Sequence, residues 1–120
     1  MGLLDKLFKK AYRDVTPAEA QAAMERGAVL VDVREPHEWQ NGHAPKARHI
    51  PLGELSARAG DLPRNREVIL VCRSGARSAR GAAMLAGGRG DVANVKGGMN
   101  AWASAGLPVV AKGGRPGRVA

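Results

Sequence analysis

A chain of 120 residues with 44% apolar and 25% charged residues has room for one compact core and little more. A single cysteine excludes an internal disulfide framework and a metal site built from several cysteines. The formal net charge of +8 gathers at the ends, with Lys6, Lys9, Lys10 and Arg13 against Asp5 at the start and Lys112, Arg115 and Arg118 at the finish, so residues 14–110 carry only +2. Basic tails of this kind read as solubilising, and no nucleic-acid partner is expected. The lone thiol fits a reducing compartment. With neither a secretory leader nor an apolar run long enough for a bilayer, a cytoplasmic protein is expected.

In chain order, Leu3, Leu4, Leu7 and Phe8 recur at helical spacing between lysines. Residues 1–13 therefore read as a basic amphipathic segment that packs on the domain or frays; the sharper reading is a weak membrane-surface contact through residues 1–10. Thr16-Pro17-Ala18-Glu19 is a helix start, with Thr16 as cap, Pro17 at the first helical position and Glu19 closing a capping box. That helix should run through Met24 and stop at Gly27. Residues 28–33 are a nearly continuous apolar run, which suits a strand buried on both faces of a parallel sheet.

The stretch from Arg34 to Pro51 is polar and broken by Pro36, Gly42, Pro45 and Pro51, with a helical turn expected over 36–40. A short helix over 55–62 follows. Residues 67–71 form the second buried strand, which leads straight into Cys72. Residues 77–85 read as a helix closed by Gly87-Gly88, 92–95 as a third strand, and 99–105 as a last helix. From residue 111 the Gly, Lys, Arg and Pro composition predicts a disordered tail. Strands alternating with helices imply an α/β domain over 14–110 with a mainly parallel sheet.

The informative segment is Cys72-Arg73-Ser74-Gly75-Ala76-Arg77-Ser78, at the carboxyl end of a buried strand and the start of a helix. Sites form there in open α/β sheets. Backbone N–H groups can converge on one point and the helix dipole adds positive potential, so an anion or a thiolate is stabilised. Arg73, Arg77 and Arg80 add charge, and no carboxylate occurs between Val68 and Gly90. A thiol in that field should be unusually acidic and reactive. Gly75 allows a loop conformation that other residues resist, and Ser74 and Ser78 can donate to sulfur. The plain alternative for Cys72 is a small buried apolar residue.

This loop resembles the active-site loop of rhodanese-like domains. Asp32-Val33-Arg34 is similar to that family's Asp-x-Arg strand end. Residues 42–52 resemble its Gly-His-Ile-Pro-Gly-Ala and Ile-Pro segment, with Ala44 and Lys46 departing from the usual Ile and Gly. Gly97-Gly98 with Trp102 resembles its closing element. The resemblance spans residues 14–110 and implies a three-layer α/β fold, a central mainly parallel sheet flanked by helices.

It also implies a sulfurtransferase of the thiosulfate type. Cys72 would be the nucleophile and persulfide carrier, and the backbone from Arg73 to Ser78, including Ser74, Gly75 and Ala76, would cradle the sulfur. Arg73 and Arg77 would attract an anionic donor. The implied partners are a small anionic sulfur donor, a thiol or cyanide acceptor, and a protein in a sulfur relay; no metal or organic cofactor is required. Asp32 and Arg34 read as supporting residues that fix the next loop. Two other readings stand beside this one: a non-catalytic binding module of the same fold, and a phosphatase or arsenate-reductase activity. Those relatives have a loop one residue longer than the four residues between Cys72 and Arg77.

Overall fold

A computed structural model of the protein describes residues 11–119. The expected amphipathic pattern and membrane contact fall on residues 1–10, outside the described residues.

Five strands form one sheet: β1 (Arg13–Val15), β2 (Val29–Asp32), β3 (Arg48–His49), β4 (Val68–Val71) and β5 (Val92–Val95). Their spatial order is β1-β5-β4-β2-β3, and every pairing is parallel. The three central strands are buried at every position, as their continuous apolar runs require of a sheet covered on both faces. The helices α1 (Pro17–Glu25), α2 (Pro36–Asn41), α3 (Leu52–Arg58), α4 (Ala76–Ala86) and α5 (Gly98–Ser104) connect them. Short 3₁₀ turns follow at Ala59–Asp61 and Lys112–Gly114.

Two cores separate cleanly. Leu55, Ala82 and Leu85 of α3 and α4 pack on Val29, Val31, Val68, Leu70 and Val92 on one face of the sheet. Ala20, Ala23, Met99 and Trp102 of α1 and α5 pack on Leu30, Ile69, Val71, Ala93 and Val95 on the other. Odd and even strand positions point to opposite faces, which divides the residues in this way. The result is the expected three-layer fold. No helix among the described residues is long and apolar enough to cross a membrane.

Local signals explain most boundaries. At the start of α1, the Thr16 hydroxyl accepts the Glu19 N–H at 3.1 Å while the Glu19 carboxylate accepts the Thr16 N–H at 2.8 Å, a complete capping box. The expected helix over 55–62 begins three residues earlier, at Leu52, and its last turn tightens into the 3₁₀ segment. Two edge strands, β1 and β3, were not expected. They are three and two residues long, and Arg13, Asp14 and Arg48 are exposed, so neither carries an apolar run.

The tail also differs from expectation. As far as Val119 it folds back on the domain rather than trailing away. Val110 makes antiparallel bridges to His43 and Pro116, the Gly117 N–H donates to Val109 O at 3.0 Å, and the Arg118 N–H donates to Asn41 O at 2.9 Å. Composition counts side chains, and this tail is fixed by its backbone. Gly117 packs so closely that a Cβ would lie 2.9 Å from the Gly42 Cα.

Candidate functional site

Cys72 follows directly on β4, at the carboxyl end of the sheet, and is 0% exposed. Residues 73–75 then turn the chain into α4. Gly75 makes the turn at φ 107°, a left-handed conformation that disfavours any residue with a side chain. Its N–H thereby points back at the sulfur and donates to Cys72 Sγ at 3.1 Å. Ser78, one turn into α4 and fully buried, places its Oγ 3.3 Å from the same sulfur. Burial pushes the Cys72 thiol up. The Ser78 hydroxyl and the N–H groups of Ser78, Gly75 and Ser74 outweigh it and hold the thiol below its ordinary value.

A second junction holds the loop from behind. After β5 the chain turns through Gly97 and Gly98, at φ 79° and 58°, into α5. The Met99 N–H donates to Cys72 O at 2.7 Å and the Asn100 N–H to Arg73 O at 3.0 Å. A Cβ on Gly98 would fall 2.6 Å from the carbonyl carbon and oxygen of Arg73, and closer still to Cys72 O. Glycine is what lets the two backbones touch.

The arginines divide. Arg73 is exposed and its guanidinium has no hydrogen-bond or ion-pair partner among the described residues, so its charge faces solvent at the mouth of the loop. Arg77 is engaged: its two terminal nitrogens donate to the two oxygens of Glu38, on α2, at 2.7 and 2.9 Å. These bonds pull the Glu38 carboxyl down to about 2, with burial opposing and Arg34 assisting. They also raise Arg77, which feels Cys72 and Asp32 more weakly. A loop free of carboxylates in sequence therefore has one in space. The charge that sequence assigned to the donor at Arg77 is largely matched by Glu38.

Asp32 and Arg34 form a closed pair, both side chains 0% exposed, with Arg34 Nη2 2.8 Å from Asp32 Oδ2. Arg34 Nη2 also donates to Gly42 O at 2.6 Å, and the Asp32 carboxylate accepts the Arg34 backbone N–H at 3.0 Å. The pair fixes the segment between β2 and α2. Among the described residues the two side chains make no hydrogen bond to the cysteine loop. Beside it, Trp39 stacks with both His43 and His49, with centroids 3.6 and 4.9 Å away, and His43 Nδ1 is 2.7 Å from Trp39 O.

Sequence reasoning missed three residues. Glu38 is 39 positions from Arg77. Asn94, in β5, is 4% exposed with its Oδ1 2.5 Å from Ser78 Oγ. Asp14, in β1, accepts the Asn94 amide N–H at 3.2 Å. The one available signal was Asn94 itself, a polar residue inside a short apolar run, since buried polar side chains must find partners.

The family model for the rhodanese-like domain matches residues 16–105. A sulfurtransferase of Allochromatium vinosum is 42% identical over 87 residues, covering 72% of this chain and 81% of that protein. The thiosulfate sulfurtransferase GlpE of Pseudomonas syringae is 35% identical over 92 residues, covering 76% and 87%. Among solved structures, a rhodanese-related protein of Thermoplasma volcanium superposes with a TM-score of 0.77 at 30% identity, covering 82% of this chain and 98% of that one.

Proposed function

The chain belongs to the rhodanese-like domain family, and on that footing we propose that it is a sulfurtransferase that carries sulfur as a persulfide on Cys72. The observation that carries this reading is the placement of the only cysteine: its Sγ receives the Gly75 N–H at 3.1 Å at the mouth of α4, with Ser78 Oγ beside it at 3.3 Å. Such a cradle stabilises a negative charge on sulfur, which is what nucleophilic attack and a bound persulfide both need.

The Cys72 thiolate attacks the outer sulfur of a donor such as thiosulfate. The S–S bond of the donor breaks, sulfite leaves with the bonding pair, and Cys72 holds a persulfide. A thiolate or cyanide then attacks the outer sulfur, and the Cys72 thiolate is released. Arg73, exposed at the rim, draws in the anionic donor, and the N–H groups of Ser74, Gly75 and Ser78 hold the sulfur. Ala76 contributes backbone only. Arg77 supplies a positive charge that Glu38 keeps in place, an arrangement less suited to grasping a phosphate group than a free arginine would be. Asp32 and Arg34 support the neighbouring loop. The acceptor class includes a protein thiol in a sulfur relay, and the reaction calls for no cofactor.

Intact mass after incubation with thiosulfate tests the reading. A gain of one sulfur atom is expected, lost on reduction and absent from Cys72→Ser. No gain with thiosulfate or with a low-molecular-weight persulfide would overturn it in favour of a non-catalytic binding module.

A further inference from the structure

Ser78 has one hydroxyl proton and three acceptors within reach. Asn94 Oδ1 lies at 2.5 Å, Cys72 Sγ at 3.3 Å and Gly75 O at 3.3 Å. A hydroxyl donates one hydrogen bond at a time, and the shortest contact marks the acceptor that holds it. The orientation of Asn94 decides the matter. Its amide could present either the oxygen or the NH₂ to Ser78. Asp14 fixes the choice, because a carboxylate accepts only and the NH₂ must face it, at 3.2 Å. The amide oxygen is then left facing Ser78.

We propose that Asn94 is a positioning residue that competes with the Cys72 sulfur for the Ser78 proton, with Asp14 setting the direction of the competition. When Cys72 is a neutral thiol, the Ser78 hydroxyl points to Asn94 and offers its lone pairs to the S–H. When the sulfur carries negative charge, as thiolate or persulfide, the O–H rotates to it and the Asn94 oxygen gives up its donor. No covalent bond changes; one hydrogen bond is exchanged for another. The arrangement moderates the acidity of Cys72: the Ser78 hydroxyl, free of that competition, would depress the thiol pKa further. It concerns the thiol itself, so it stands whether or not sulfur transfer is the function.

The other groups around the sulfur do not supply this selectivity. Arg77 of α4 is held by Glu38 of α2, and Asp32 and Arg34 of β2 are paired with each other. Arg73 faces solvent, α5 has no ionisable side chain, and the charged residues of α3, Glu54 and Arg58, lie within 3.4 Å of one another on the exposed surface.

The test is the pH titration of thiolate ultraviolet absorbance in the full chain, whose one cysteine makes the signal unambiguous. Asn94→Leu removes the competing acceptor, and the Cys72 pKa should fall by about half to one unit. Asp14→Asn, at an exposed position, frees the amide to turn its NH₂ toward Ser78 and should shift the pKa in the same direction. Both shifts should disappear, apart from a small direct charge effect of Asp14, when Ser78 is alanine. A rise or no change in Asn94→Leu, or a fall that persists with Ser78→Ala, would overturn the proposal. Should Asn94→Leu fail to fold, Asp14→Asn with and without Ser78→Ala decides it. No sulfur donor is present in the assay, so the result is separate from that of the persulfide experiment.

Discussion

Two strand-to-helix junctions lie side by side at the same end of the sheet, and both turn on glycines of positive φ. From β4 into α4 the turn is made by Gly75; from β5 into α5 it is made by Gly97 and Gly98. Their helix N-terminal N–H groups go to different ends. Those of α5 are taken up by backbone, Met99 on Cys72 O and Asn100 on Arg73 O. Those opening α4 face the sulfur. The same local chemistry builds a clamp in one place and a cradle for a sulfur atom in the other. What decides between them is the acceptor the neighbouring chain provides: carbonyl oxygens for α5, one sulfur atom for α4. The cysteine junction keeps its shape because the other holds it.

Substitutions at the two turns should expose this division. Gly98→Ala is expected to cost most, about 3 kcal/mol in urea unfolding, since a methyl group would press on the carbonyls of Cys72 and Arg73 at φ 58°. The Cys72 thiol of that variant should titrate closer to an ordinary cysteine; a stable protein with an unaltered thiol would dissolve the idea of a clamp. Gly75→Ala should cost less, about 1–2 kcal/mol, because its hypothetical Cβ meets its nearest neighbour, Gly97 N, at 3.3 Å and the penalty is mainly the left-handed backbone. It turns the Gly75 N–H away from Sγ, so the thiol pKa should rise even where stability is nearly kept.

The smallest effect belongs to the sideways anchor of α4. Glu38→Gln should lower stability near neutral pH by about 1 kcal/mol, a modest figure because Arg77 is partly exposed and solvent screens the pair. The pH dependence is the sharper reading. The Glu38 carboxyl lies at about 2 in the folded protein against an ordinary 4.5, so its contribution is fully present above 4.5 and fades as pH falls toward 2. The wild type should lose stability over that window more steeply than Glu38→Gln. Parallel curves would show that the pair adds nothing to the fold.

The parts legible in the sequence were those whose cause is local. Residues 29–32, 68–71 and 92–95 are strands because they are short apolar runs, and Thr16 and Glu19 mark a helix start within four residues. The cysteine loop was legible because its strand, glycine and helix are contiguous. The parts that were not legible depend on partners far along the chain. Arg13–Val15 becomes a strand only because Ala93–Val95 lies beside it. Arg77 reads as a free cation until Glu38 is brought to it. Asn94 reads as an irregularity in a strand until Ser78 and Asp14 stand on either side of it.

The parallel pairing of β1 with β5 puts Asp14 opposite Asn94, residues 80 apart in sequence. In a chain synthesised from its amino end, Cys72 and the turn after it are made well before Asn94, Gly98 and Met99 exist. Closing so long a loop also comes late in folding, because its entropic cost precedes the contacts that reward it. The hydrogen bonds of Met99 to Cys72 O and Asn100 to Arg73 O, and the Asn94 contact on Ser78, therefore close around the cysteine loop only as the last strand and helix dock.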